Sequence, residues 1–93
     1  MNNIITPDKL EKYFSITQKA FEIVKKKIIK GKEKEAKEII DMAGNYILDA
    51  KHFETQGDYV LAYGALNYAH GWIDSGVRLG VFNVTDNKLF TIK

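Results

Sequence analysis

The chain contains no cysteine, and this excludes disulfide bonds, thiolate metal ligands and a cysteine nucleophile. It also has no run that approaches the roughly 20 consecutive apolar residues of a membrane-spanning helix. The first residues, MNNIITPDKLEKYF, lack the basic start and apolar middle of a secretion signal. We therefore expect a cytoplasmic protein without a membrane partner.

Catalytic motifs are also missing from the chain. There is no glycine-rich phosphate loop, no GxSxG elbow and no HExxH pair. Arg78 is not followed by a histidine, so the signature of helical nucleases, an arginine and a histidine separated by four to six residues, is absent as well. We expect no catalytic residue, no cofactor and no enzymatic activity.

What the chain does contain is typical of one small folded domain spanning residues 1–93. Hydrophobic residues make up 45% of the sequence and charged residues 28%, which is unlike a disordered chain. The net charge of +2 is too small to indicate nucleic-acid binding by itself.

Residues 7–30 carry the first helical pattern. Thr6 can cap this helix, and Pro7 suits its first turn because the missing N–H would be unpaired there anyway. Core-facing residues then recur at spacings of three and four: Leu10, Tyr13, Phe14, Thr17, Phe21, Val24 and Ile28. Gly31 is the predicted stop, because glycine accepts the left-handed conformation after a helix.

Residues 33–56 and 58–80 repeat this periodicity. Gly57 separates the two helices and Asp58 can cap the later one. The predicted packing face of the third helix consists of Leu61, Ala65, Tyr68, Ala69, Trp72, Gly76 and Leu79. Three helices of about 33–36 Å with short connections predict an all-α, up-down-up antiparallel three-helix bundle.

The C-terminal extension, residues 81–93, is too apolar for a solvated tail. Turn-forming residues 85–87 lie between two short β-prone runs, so a small β-hairpin is expected. Its natural support is the apolar arc that Ile16, Ile23 and Ile29 add to helix 1. The alternative is that this arc forms a homodimer surface.

Small residues on helix 3 predict close helix packing, since each glycine costs roughly 1 kcal/mol against alanine in a helix interior. These residues are Gly64, Ala65, Ala69, Gly71 and Gly76. Asp49 lies level with this region and is expected to accept a hydrogen bond from a tyrosine between helices 2 and 3.

A set of short motifs lies within residues 43–82. They are Tyr46-x-x-Asp49 with Phe53, Gly57-Asp58-Tyr59 with Ala62, and Tyr68-Ala69-x-Gly71-x-x-Asp74 before Leu79-Gly80. This pattern resembles the archaeal domain-of-unknown-function family numbered 357. The resemblance implies a small helical bundle in an archaeal cytoplasm, with no established activity. Related domains fused to nucleotidyltransferase-like domains imply an accessory role and transfer no catalytic residue.

A polar ribbon on helix 3 is the first candidate site. At 100° per residue, five side chains are predicted to face away from the packing face: Tyr63, Asn67, His70, Asp74 and Arg78. One interpretation is a recognition strip for a protein partner. The other is a solvated face with an Asp74–Arg78 pair across one helical turn.

Metal binding is not expected. Asp49 and His52 have helical ligand spacing, as do His70 and Asp74. In an antiparallel hairpin these pairs lie roughly 12 Å apart along the axis, too far for one four-ligand site. A weaker oxygen-rich site would combine His70 and Asp74 with Asn45 and Asp41.

The second candidate site is a lysine tip at the turn between helices 1 and 2. Residues 25–38 hold seven of the fourteen basic residues, diluted by three glutamates. Candidate phosphate contacts are Lys26, Lys27, Lys30, Lys32 and Lys34. No aromatic residue is interleaved as a base-stacking platform, so solvated lysines are the competing interpretation.

The sequence favours a non-enzymatic protein-interaction or self-association module, whose partner is another protein or a second copy. The alternative is an accessory domain to nucleotide or nucleic-acid chemistry that uses the lysine tip. Nucleic-acid binding is the less favoured of the two.

Overall fold

The computed structural model describes residues 4–85 and residue 90 and confirms an all-α bundle of three helices. Helix α1 spans Pro7–Lys25, α2 spans Glu33–Thr55 and α3 spans Tyr59–Arg78. Across the described residues the only β-type pairing is one isolated bridge. No helix in this part of the chain combines the length and the apolar character that crossing a membrane requires.

Two of the three helices begin at side-chain caps that the sequence predicts. Thr6 Oγ1 accepts the backbone N–H of Lys9 at 3.2 Å at the start of α1. Asp58 Oδ1 accepts the backbone N–H of Leu61 at 3.2 Å at the start of α3. Each cap satisfies a backbone donor that has no partner within the first helical turn.

The core divides into two clusters, one at each end of the bundle. The first joins the start of α1, the end of α2 and the start of α3: Leu10, Phe14, Ala50, Ala62, Ala65 and Leu66. The second joins the opposite ends of the same helices and the extension: Ala20, Val24, Ala36, Ile39, Ala43, Ile47, Ala69, Ile73, Val81, Phe82 and Phe90. This arrangement requires the predicted up-down-up topology.

Helix α1 ends at Lys25, five residues before the predicted end. The following residues leave the helix and pair with the chain beyond α3. Ile29 donates its backbone N–H to the carbonyl of Val81 at 2.9 Å, and Asn83 donates to the carbonyl of Lys27 at 2.8 Å. These long-range bonds replace the helical bonds that lysine-rich local sequence would otherwise favour.

The C-terminal extension covers the second core cluster. Val81, Phe82 and Phe90 are 4%, 2% and 3% exposed, so these apolar side chains are part of the interior. The predicted hairpin lies largely outside the described residues, because residues 86–89 and 91–93 are not among them.

The buried face of α3 differs from the predicted one. Ala65, Ala69 and Gly76 are buried as expected, but the rest of the interior face is aliphatic: Ala62, Leu66 and Ile73. The bulkier Leu61, Tyr68 and Leu79 are 50%, 65% and 73% exposed. The interior face is thus rotated by roughly 65° around the helix from the predicted one.

The prediction of close helix packing at glycine is confirmed at Gly76 and wrong at Gly64 and Gly71. A Cβ built at Gly76 would lie 2.4 Å from a ring carbon of Phe82 and 3.0 Å from Ile39 Cδ1. A Cβ at Gly64 or Gly71 would meet no atom within 4 Å. Of these three helix-3 glycines, Gly76 is therefore the one whose identity crowding explains.

Candidate functional site

The predicted outward ribbon on α3 lies mostly against α1, which corrects its predicted orientation. Tyr63 is half-buried, and the side chains of His70 and Asp74 are 14% and 24% exposed. Asn67 and Arg78 are exposed, so they alone of the five keep the expected environment. The error follows from the displaced interior face of α3.

Two polar contacts tie this ribbon to α1. Tyr13 donates its hydroxyl hydrogen to Asn67 Oδ1 at 2.7 Å. The buried Thr17 hydroxyl lies 3.3 Å from His70 Nδ1, within hydrogen-bond distance. The Tyr13 ring also stacks on His70, with centroids 6.2 Å apart and planes at 16°. We call Tyr13, Thr17, Tyr63, Asn67, His70 and Asp74 the polar seam.

The polar seam has the chemistry of a satisfied helix interface. His70 Nε2 lies 3.9 Å from Asp74 Oδ2. Burial raises the pKa of the Tyr13 phenol above its ordinary 10.0, and the neighbouring Tyr63 and Asp74 raise it further. Within the described chain, every buried side-chain nitrogen and oxygen has a hydrogen-bond partner. These groups hold α1 to α3.

Two members of the polar seam, Tyr13 and Thr17, were expected from the sequence only as core-facing residues of the first helix. They lie one helical turn apart on α1, just as Tyr63, Asn67, His70 and Asp74 follow one another at three and four residues on α3. Matched polar spacings on two neighbouring parallel helices are the signal that would have indicated a shared interface.

The predicted hydrogen bond of Asp49 is not formed, because its side chain is exposed. Near this position, α2 and α3 instead contact each other through two tyrosine rings. Tyr46 and Tyr68 stack with centroids 5.3 Å apart and planes at 23°. Among the described residues, no three or more His, Asp or Glu side chains converge as they would around a metal ion.

The apolar residues expected in the interior of α3 form a solvent-facing line along it. We call Leu61, Tyr68, Trp72 and Leu79 the α3 stripe. Leu61, Tyr68 and Leu79 are at least half exposed, and Trp72 is half-buried. Between Asp58 and Asp74 the sequence has no Asp, Glu, Lys or Arg, so nothing charged on α3 interrupts most of this line.

A shallow cleft lies beside the centre of the α3 stripe. Its volume is about 350 Å³ and it is lined by Asn67, Tyr68, Gly71, Trp72 and Ser75. Gly71 leaves open space where a side chain would otherwise stand. An apolar line next to such a cleft is typical of a protein contact surface.

The lysine tip is exposed as predicted. All five of its lysines, Lys26, Lys27, Lys30, Lys32 and Lys34, have exposed side chains. The backbone that carries them is fixed by the pairing of residues 27–29 with 81–83. Gly31, at φ +94°, donates its N–H to both carboxylate oxygens of Glu33 at 3.0 and 3.2 Å.

Comparison with known proteins identifies the family. No curated protein and no solved structure matches the chain. One family model, described as "Protein of unknown function (DUF357)", matches residues 12–82. This match covers more than half of the chain and includes all of α2 and α3, with the polar seam, the α3 stripe and the lysine tip. The chain therefore belongs to DUF357, the family that its helix 2 and helix 3 motifs resemble.

Proposed function

We propose that this protein is a non-enzymatic interaction module whose contact surface is the α3 stripe. The observation that carries the proposal is the exposure of Leu61, Tyr68 and Leu79 on a helix face without charged residues. Leaving such side chains in water costs about 25 cal/mol for each Å² of apolar surface that a partner would cover. Binding a partner removes this cost.

The amphipathic tyrosine at the centre supports the same proposal. Tyr68 is 65% exposed and is braced from one side by the ring of Tyr46. A braced aromatic ring loses little conformational entropy on binding, which is why tyrosine is frequent at the centre of interfaces. We further propose that the module works in an archaeal cytoplasm, as the family resemblance implies.

Affinity capture tests this proposal with a matched pair of variants. Tyr68→Glu places a charge in the α3 stripe. Leu48→Glu places the same charge at a residue of nearly equal exposure, 68%, on α2 beside a cleft shared with α1. We expect a nuclease-resistant protein partner to be retained by the wild type and by Leu48→Glu, and lost from Tyr68→Glu. A partner retained equally by all three baits would contradict the proposal.

The lysine tip supports a second candidate function, contact with phosphate groups of a nucleotide or nucleic acid. Four of its five exposed lysines lie on the loop between α1 and α2, which backbone hydrogen bonds hold in place, and Lys34 lies in the first turn of α2. Charge reversal at Lys26, Lys27 and Lys30 would then abolish binding, and the affinity of the wild type would fall steeply with salt. A captured molecule that resists nuclease and still binds the charge-reversed variant would argue against this candidate.

A further inference from the structure

We propose that the partner of the α3 stripe is a second copy of this chain, with the two α3 helices antiparallel about a two-fold axis level with His70. This inference rests on the proposed function, because it names the partner of the same surface. Three features of α3 support it: the spacing of the stripe, the position of the cleft and the absence of charge.

The spacing of the α3 stripe is symmetric. Its four residues are separated by seven, four and seven positions, so both the outer pair and the inner pair are centred on residue 70. At 100° per residue all four lie within an arc of about 40°. In the antiparallel pair, Leu61 is level with Leu79 of the second copy, and Tyr68 with Trp72 of the second copy. A two-fold interface needs this self-complementarity.

In the antiparallel pair, the cleft beside the α3 stripe lies at the level reached by the Tyr68 ring of the second copy. Side chains on a helix point toward its N-terminus, so Tyr68 of the second copy points from the level of Trp72 toward that of Ser75. This is the position of the cleft of about 350 Å³ lined by Gly71, Trp72 and Ser75. The two-fold axis makes the contact reciprocal, with each Tyr68 entering the cleft of the other chain.

The charge distribution of α3 suits self-pairing. No Asp, Glu, Lys or Arg lies between Asp58 and Asp74, so two such faces meet without like-charge repulsion along most of their length. Antiparallel helices also oppose their dipoles, which is the favourable orientation. A contact along one helix buries at most about 1,200 Å², the range of weak complexes, so we expect a dimer that dissociates in the micromolar range.

Sedimentation equilibrium over a wide concentration range is the first test. We expect the wild-type mass to rise from one chain toward two chains, and Tyr68→Glu to remain at one chain throughout. Leu61→Glu is a second stripe variant with the same expected loss. Leu48→Glu should associate like the wild type, and circular dichroism should confirm that all variants are helical. A constant one-chain mass for the wild type, or equal loss in Leu48→Glu, would overturn the proposal.

Cysteine cross-linking tests the register, and the absence of native cysteine leaves no background. Leu61→Cys and Leu79→Cys chains, mixed and oxidised, should form a disulfide-linked heterodimer. Either variant by itself should form none, because its two cysteines would lie about 27 Å apart along the axis, far beyond disulfide reach. Disulfide-linked dimers in either variant alone, without any increase in cross-linked dimer when the two are mixed, would refute the antiparallel register.

The two proposals can fail separately. A wild-type protein that stays monomeric, yet loses a captured partner only in Tyr68→Glu, overturns self-pairing and leaves the α3 stripe as a surface for another protein. Monomeric behaviour together with capture that is unchanged in Tyr68→Glu overturns both.

Discussion

Replacing Gly76 by alanine tests the most crowded glycine position among the described residues. The added Cβ would lie 2.4 and 2.7 Å from two ring carbons of Phe82, well inside van der Waals contact. The ring has little freedom to move away, because Phe82 is 2% exposed. Its backbone is held on both sides, where Val81 N–H bonds to the Gly76 carbonyl at 2.8 Å and Asn83 N–H to the Lys27 carbonyl at 2.8 Å.

The expected loss follows from two opposing contributions. Displacing Phe82 forfeits much of the roughly 1.5–3 kcal/mol that burial of a large apolar side chain contributes. Alanine recovers only about 1 kcal/mol through its higher helix propensity. We expect Gly76→Ala to lower the free energy of unfolding by about 1–2 kcal/mol and the melting temperature by roughly 5–10 °C.

Gly64→Ala is the matched control, because it makes the same change on the same helix with no atom within 4 Å of the new Cβ. It should stabilise the protein by up to about 1 kcal/mol. Chemical denaturation at low protein concentration measures both variants, and the double variant Gly76→Ala/Phe82→Ala isolates the contact. If Gly76→Ala costs as much without the Phe82 ring as with it, the steric explanation is refuted.

The polar seam gives two further predictions. Thr17→Val keeps the shape of the buried side chain but removes the hydroxyl beside His70 Nδ1, so it should lower the free energy of unfolding by about 1 kcal/mol in urea; stability equal to wild type would contradict a hydrogen-bonding role. The raised pKa of Tyr13 means that its neutral form is favoured in the fold. The resulting stability is fully present below the ordinary pKa of 10.0 and is lost as pH rises through the folded pKa above it. Absorbance titration of tyrosine should therefore lose a late-ionising component in Tyr13→Phe, and an unchanged titration curve would refute the assignment.

The starts of the helices could be predicted from local sequence, because local chemistry determines them. Thr6 and Asp58 each cap the helix that follows within three residues of chain. The end of α1 could not be predicted in this way. Residues 27–29 bond to residues 81–83, and no local pattern contains a partner that lies more than 50 residues away.

The orientation of α3 was mispredicted for a different reason. Its sequence offers two overlapping apolar faces roughly 65° apart, and both carry large side chains. The structure buries the face with Ala62, Ala65 and Ala69, since small side chains let the helices approach closely. The exposed α3 stripe and the covered polar seam both follow from this choice. Side-chain bulk is thus a poor guide where alanine provides the packing surface.

The pairing of residues 27–29 with 81–83 also implies an order of assembly. Helices α2 and α3 are joined by a short turn and can meet soon after collapse, at a small cost in loop entropy. The pairing instead closes a loop of more than 50 residues, and such contacts are the slow ones in folding. We expect the α2–α3 hairpin to form first and the lysine-bearing loop to be fixed last, so that the lysine tip takes its final arrangement only in the completed fold.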